Sequence, residues 1–414
     1  MTKTDIMMKR IAYVIVLVVI ANLGYSQNSQ LQSAIVYHRQ GRLDKAKEAI
    51  DKATAHEKTM NEAKTWYYCG KIYIDIYNSP DSAIRVLAPD AIDKSYDAYQ
   101  KARDLDEKNQ YSNDIAQDLP IVGEAFFNQG ANLFNKGMQA QDIQDSVEAK
   151  NQFKGSMDSF EKAYKIYLVS GINDTTTIYY VSVAAELAGE YGVAKEKIQM
   201  LIDMDYQRAS IYSSLASIYY VQDKDVEKAL ATYAIGQEKF PDDLNLLLME
   251  TNVFLSEEMT EEALENLQKA AKIDTTNATI FFAIGAKYNE IVDDTTRSEE
   301  MRLDAFQKAV VAYDKSLDID PEFFDPAYNM GALYVNKASS VIEVANQLPL
   351  DEVEEYDRLK AEADKYLEDS LPYLEKAHEL QPDDVSTMAS LKEIYTRLSM
   401  LEKLKDINAK LEGL

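Results

Sequence analysis

One cysteine in 414 residues leaves no partner for an internal disulfide. Three histidines, His38, His56 and His378, stand far apart with no HExxH or CxxC context, so neither a zinc cluster nor a nucleophile–histidine pair is expected around them. Phosphate loops of the GxGxxG or GxxxxGK[ST] type are missing, and none of the Asp-Thr-Thr strings at 174–176, 274–276 and 294–296 has the alternating oxygens and glycine of a calcium loop. Those strings read as Asx-turns and helix caps, and no cofactor or metal is expected. Basic clusters are scarce as well. With 44 Lys and Arg against 70 Asp and Glu the net charge is −26, which leaves no stripe for a nucleic-acid backbone and repels anionic lipid. Paired acids such as Glu257-Glu258, Glu261-Glu262 and Glu354-Glu355 are so common at this composition that they read as solvated faces.

What is present begins with an address. Lys9 and Arg10 precede an apolar run from Ile11 to Leu23, followed by Gly24 and Ser26. The run is short for a membrane span, and the small residues suit a cut before Gln27, so residues 1–26 are expected to be a cleaved secretory signal. A retained anchor is the other reading. Cys69 lies too far from the run to be the acylated cysteine of a lipoprotein, and a lone thiol in an exported chain is expected to be buried. The mature chain would then be periplasmic or secreted, with no direct membrane insertion.

Beyond the signal, 46% hydrophobic content is too high for a disordered acidic polymer. One unit recurs: a small residue, an aromatic three positions on, then Ala, an apolar or aromatic residue four further, and a second small residue. Leu215-Ala216-Ser217-Ile218-Tyr219 with Ala229, Tyr233 and Gly236 is one copy; Gly285 and Tyr288 with Ala309, Tyr313 and Pro321 is another. Apolar residues fall three and four apart in each half, so each unit reads as two helices, with Pro241, Pro321 and Pro382 ending second helices. Ser182 to Ala216 and Thr251 to Gly285 are both 34 residues apart. That is a tetratricopeptide period, and the chain resembles that repeat family over nearly all of 27–414, with motif residues at Trp66, Gly70 and Tyr73 and at Met330, Gly331, Tyr334, Ala377 and Pro382. About nine units are expected: 27–60, 63–108, 123–168, 175–208, 209–242, 244–277, 278–322, 324–383 and 385–414. Glu250 and Thr251 depart from the motif's Leu and Gly, and Lys392 takes the small position of an end-capping ninth unit.

The resemblance implies an all-α solenoid, a right-handed superhelix whose first helices line a concave groove. Insertions are expected at 74–92, 135–152, 289–304 and 335–366. Residues 351–366 read as lengthened helix, 78–81 and 293–296 as loops. Lengthened helices would either project as arms or stiffen the array. The groove-lining positions of the family fall here on Tyr67, Lys71, Phe127, Phe134, Asn135, Tyr179, Tyr220, Asn252, Phe282, Asn289, Tyr328 and Asn336. Amides pair with the backbone of an extended peptide, and aromatic faces give contact area at low entropic cost. Some of these rings would instead pack against the neighbouring unit. The family's carboxylate clamp is missing, since Lys64 and Lys71 are followed in the next unit by Glu124 and Phe127. The expectation is a non-enzymatic scaffold in the cell envelope that binds an extended protein segment. The alternative is a glycan-binding component of an outer-surface nutrient system. Partner identity and oligomeric state are open.

Overall fold

A computed structural model describes residues 30–413. The expected signal at 1–26 and its cut before Gln27 lie outside them. The described chain is helix and connection only, an all-α array of successive helix pairs. It divides into two compact units, one up to Ile211 and one from Tyr212.

In unit one, α1 (30–39) pairs with α2 (Leu43–Thr54), and α3 (Ala63–Tyr77) with α5 (Ala91–Leu105) across the four-residue α4 (Ser82–Arg85). Next come α6 (Ser112–Asp142) with α7 (Ser146–Val169), then α8 (Thr175–Ala188) with α9 (Tyr191–Asp203). Unit two is built from α10 (Ser210–Val221, whose first two residues belong to unit one), α11 (Val226–Lys239), α12 (Leu244–Ser256), α13 (Thr260–Ile273), α14 (Ala278–Asp293), α15 (Glu299–Ile319), α16 (Phe324–Asn346), α17 (Val353–Leu380), α18 (Val385–Arg397) and α19 (Leu401–Glu412).

Local chemistry sets the ends of these helices. Asp174, Asp225, Asp243 and Asp384 accept hydrogen bonds from the first-turn amides of α8, α11, α12 and α18, satisfying donors that have no partner within the helix. Asp274 and Asp294, from the other two Asp-Thr-Thr strings, close Asx-turns onto Thr276 and Thr296, each at 3.0 Å. Pro241, Pro321 and Pro382 stand two residues past the ends of α11, α15 and α17. Gly189 closes α8 at φ 76°, a left-handed turn that a side chain would oppose.

The small residue of each first helix is where the second helix comes closest. A Cβ added to Gly70 would stand 2.6 Å from the Tyr99 ring, and one on Gly285 2.6 Å from Tyr313. The longest hairpin of unit one repeats this device three times. Gly123, Gly130 and Gly137 are seven residues apart on α6, and Tyr167, Phe160 and Phe153, seven apart on α7, lie over them in antiparallel order. A seven-residue period keeps all three contacts on one seam. Each missing side chain gives its volume to a ring worth about 1.5–3 kcal/mol when buried.

Two of the four insertions, 335–366 and 135–152, resolve into packed helix. Residues 335–366 lengthen α16 and α17, and Ala338, Val341, Ala345, Leu359 and Ala363 from that stretch share one core with Met388, Ile394 and Ile407 of the last hairpin. Residues 135–152 lengthen α6 and α7, whose Ala140 and Ala149 are buried with Ala188 of α8. The extra length thus extends the core, as the stiffening alternative requires. Residues 112–122, ahead of the third unit as read from the motif, are helical and continuous with α6.

Cys69 is buried in α3, where desolvation pushes its thiol up to about 12. It packs with Ile72, Tyr73 and Ile76 as a small hydrophobe.

Candidate functional site

In unit one, α6 and α8 and the connection after α9 present a run of aromatic rings. Phe127 on α6 meets the buried Phe160 edge-on at 5.1 Å, and Tyr180 on α8 stacks on the same ring at 5.4 Å. Tyr180 in turn meets Tyr179 at 5.7 Å, and Tyr179 meets Tyr206 at 6.0 Å. The Arg208 guanidinium closes the run, 4.4 Å from the Tyr179 ring centre. The buried end of this series is anchored in the α6–α7 seam, while Tyr180 keeps 37% of its surface and Arg208 is exposed. Ring edges next to a cation form a preorganised surface for an extended chain or a planar group.

Of the residues expected to line a groove, Phe127 and Tyr179 are therefore brought together, through Tyr180. Tyr67 and Lys71 are also neighbours, the ammonium 5.5 Å from the ring, but they do not form an open surface. Tyr67 is only 6% exposed, stacked on Tyr111 at 4.9 Å with its hydroxyl donating to Asp114, and burial raises the pKa of that hydroxyl. Lys71 is 3.3 Å from Asp118, which also accepts from the Tyr99 hydroxyl at 2.9 Å. The expectation for Tyr67 is thus corrected. The N-terminal turns of α6, carrying Asp114 and Asp118, cover the ring, and the aromatic is spent on packing. Phe134 is likewise turned onto Phe153 at 5.4 Å, whereas Asn135 is exposed on the far part of α6.

No protein-family profile matches the chain, and no curated protein does. Solved structures of similar helical build exist. YrrB, described as a TPR protein with an unusual peptide-binding site, is 17% identical over 48% of this chain and 89% of its own, with a TM-score of 0.32. MamA of Desulfovibrio magneticus RS-1 gives 14% over 51% and 97%, TM-score 0.35. TTC0263, a thermophilic TPR protein of Thermus thermophilus, gives 16% over 49% and 98%, TM-score 0.30. Superpositions this loose leave the site to be read from this chain's own residues.

In unit two the expected residues are dispersed over α10, α12, α14 and α16. The Tyr220 hydroxyl donates to Glu257 at 3.0 Å, and Asn252 is exposed. Phe282 lies against Tyr313 and Phe323, Tyr328 stacks on Phe324 at 5.9 Å, and the Asn289 amide donates to Asp293 at 3.1 Å. Asn336 is exposed. Between the α12–α13 turn and α14 lies a cavity of about 470 Å³ lined by Phe254, Thr260, Lys287 and Glu290, with Lys287 paired to Glu290. This half offers amides and acids at its expected groove positions, and its rings Phe306, Tyr334, Tyr366 and Tyr373 form a separate series across α15, α16 and α17.

Three residues of the aromatic run escape a reading of the repeat. Tyr180 sits one position past the groove-lining Tyr179, and Tyr206 and Arg208 belong to a connection, which the motif does not index. The doubled Tyr179-Tyr180 was the available signal. Among the described residues, no group of three His, Cys, Asp or Glu is placed to hold a metal ion, and no helix is long and apolar enough to cross a membrane. His38 bridges to Asp75 at 2.6 Å, and His378 accepts from Lys410 at 2.6 Å, its pKa lowered by burial and then by that ammonium.

Proposed function

We propose that this chain is a non-enzymatic scaffold of the cell envelope that captures an extended segment of a partner protein along the first helices of its repeats. The observation that carries this reading is the ring series of half-buried Phe127, Tyr179 and Tyr206 with exposed Tyr180, ending in exposed Arg208. An extended segment laid across it gains aromatic contact without ordering flexible side chains, and Arg208 favours a carboxylate or a backbone carbonyl at one end. Tyr220, Asn252, Asn289 and Asn336 offer hydrogen-bonding groups to the same class of ligand. Export is proposed from Lys9, Arg10, the Ile11 to Leu23 run and the small residues before Gln27.

The test replaces Tyr180 by a photo-crosslinking amino acid in the intact cell and identifies the adduct by mass spectrometry. A single dominant protein adduct is expected, reduced about tenfold by Arg208→Ala and Tyr179→Ala while the helical circular dichroism is unchanged. Adduct yield indifferent to both substitutions refutes the assignment. N-terminal sequencing of the same material should begin at Gln27; a chain found in the cytoplasm with residues 1–26 attached refutes export.

A further inference from the structure

Unit two carries a second, chemically different surface. A groove of about 540 Å³ runs between α13, α14 and α15. Its floor is Phe281, Ile284 and Tyr288 of α14 with Ala271, Val311 and Ala312 from the flanking helices. Val311 is 70% exposed within this apolar lining, which makes it part of a patch rather than a lone surface hydrocarbon. Gln268 donates to the Tyr288 hydroxyl at 2.7 Å and fixes that ring as one wall.

The rim is basic in a chain of net charge −26. Lys308 is engaged by Asp304 at 2.7 Å and lies 5.6 Å from the Tyr288 ring. Lys272 and Lys315, near the C-terminal ends of α13 and α15, have no ion-pair partner among the described residues. An apolar floor beside two unpaired ammonium groups is complementary to a ligand with a hydrocarbon stripe and a carboxylate flank.

The walls decide the ligand's backbone. All three are helices whose peptide groups are already bonded internally, and this floor, unlike the groove positions Asn252 and Asn336, carries only hydrocarbon and a Tyr288 hydroxyl already engaged by Gln268, so an extended segment would leave its N–H and C=O groups unpaired over it. A helix brings its own hydrogen bonds. The floor from Phe281 to Tyr288 is about 10 Å long at about 1.5 Å per residue, two turns, the span of anchors at i, i+3 or i+4, and i+7. We infer that this groove docks an acidic amphipathic helix of a partner protein, its apolar stripe on Phe281, Ile284, Tyr288 and Val311 and its carboxylates facing Lys272 and Lys315. The docking is independent of the ring series of unit one.

The probes are two synthetic helical peptides with the same leucine stripe, one flanked by glutamates and one by lysines, titrated into the full chain by fluorescence anisotropy. The glutamate peptide is expected to bind saturably despite the chain's negative charge. Its affinity should fall about tenfold with Val311→Asp and again with the pair Lys272→Glu and Lys315→Glu, and the charge-reversed chain should prefer the lysine peptide. Unaltered circular dichroism and urea midpoints show that the variants fold. The proposal is overturned by a glutamate peptide that does not bind, by binding insensitive to Val311→Asp, or by a lysine peptide competing equally on the unaltered chain. A concentration-dependent dimer abolished by Val311→Asp would give the groove to a second copy, and dodecanoate displacing the peptide would give it to an amphiphile; either overturns it.

Discussion

The glycine seam of the α6–α7 hairpin makes a prediction whose sign depends on tertiary contact. In an exposed helix Gly→Ala stabilises by up to about 1 kcal/mol, because alanine loses less backbone entropy. At Gly130 the new methyl would stand 2.8 Å from the Phe160 ring, which is 1% exposed and held between Phe127 and Tyr180. Overpacking of this kind costs about 1–3 kcal/mol, so Gly130→Ala should destabilise unit one by about 1 kcal/mol net. Gly192, in the first turn of α9, has nothing within 4 Å of its missing Cβ, and Gly192→Ala should stabilise by about 0.5 kcal/mol. The assay is urea unfolding followed by the fluorescence of the single tryptophan, Trp66, which lies in the same unit. Combining Gly130→Ala with Phe160→Leu removes the ring, and the pair should be less damaging than the sum of the two by about 1 kcal/mol. If Gly130→Ala stabilises as Gly192→Ala does, or if the pair shows no coupling, the close-packing account of the seam is wrong.

Two further outcomes follow from buried chemistry. Glu250 occupies a position where the repeat favours leucine; burial raises its pKa above the ordinary 4.5, while the amides of Asn266, at 2.6 Å, and Gln237 donate to it and pull the other way. A carboxyl with a raised folded pKa contributes stability that is complete below its unfolded value and is lost as pH rises through the folded one. Glu250→Gln should therefore match the parent near pH 4 and exceed it by about 1 kcal/mol at pH 7 in calorimetry, whereas Glu250→Leu should lose about 1–3 kcal/mol by orphaning the two amides; a Gln variant with no pH-dependent gain contradicts this. Cys69, with its thiol pushed up to about 12 inside α3, should resist Ellman's reagent at pH 8 until urea unfolds unit one. Labelling of the folded chain within minutes would show that the thiol is accessible.

Much of the fold was legible because its determinants are local. Two helices per repeat follow from apolar residues three and four apart, and the ends of α11, α15 and α17 from the prolines just beyond them. Asp174, Asp274 and Asp294 were readable as cap and turn residues because an Asx side chain acts on backbone only two or three positions away. The lengthening of α17 was readable from the charged, helix-favouring stretch after Pro349.

The site was read less well, and the reasons are physical. A repeat position states which way a side chain points from its own helix. It does not state what the next helix brings over it. Tyr67 and Phe127 hold equivalent positions, yet Tyr67 is sealed by Tyr111 and Asp114 on turns of α6 that the motif does not cover, while Phe127 reaches Tyr180. Tyr206 and Arg208 reach Tyr179 from a connection whose path no periodicity specifies. The same holds for the α13–α15 groove, whose unpaired Lys272 and Lys315 are ordinary surface residues in the sequence.

By itself, then, the sequence determined the helical pairs, the small residues at which they close and the acidic balance of charge, since each depends on composition or on contacts within a single turn or repeat. Only the tertiary structure decided which aromatics are buried and which are open, and where two lysines stand free beside a hydrocarbon floor. Those outcomes depend on insertion lengths and loop paths, which set distances between residues tens of positions apart.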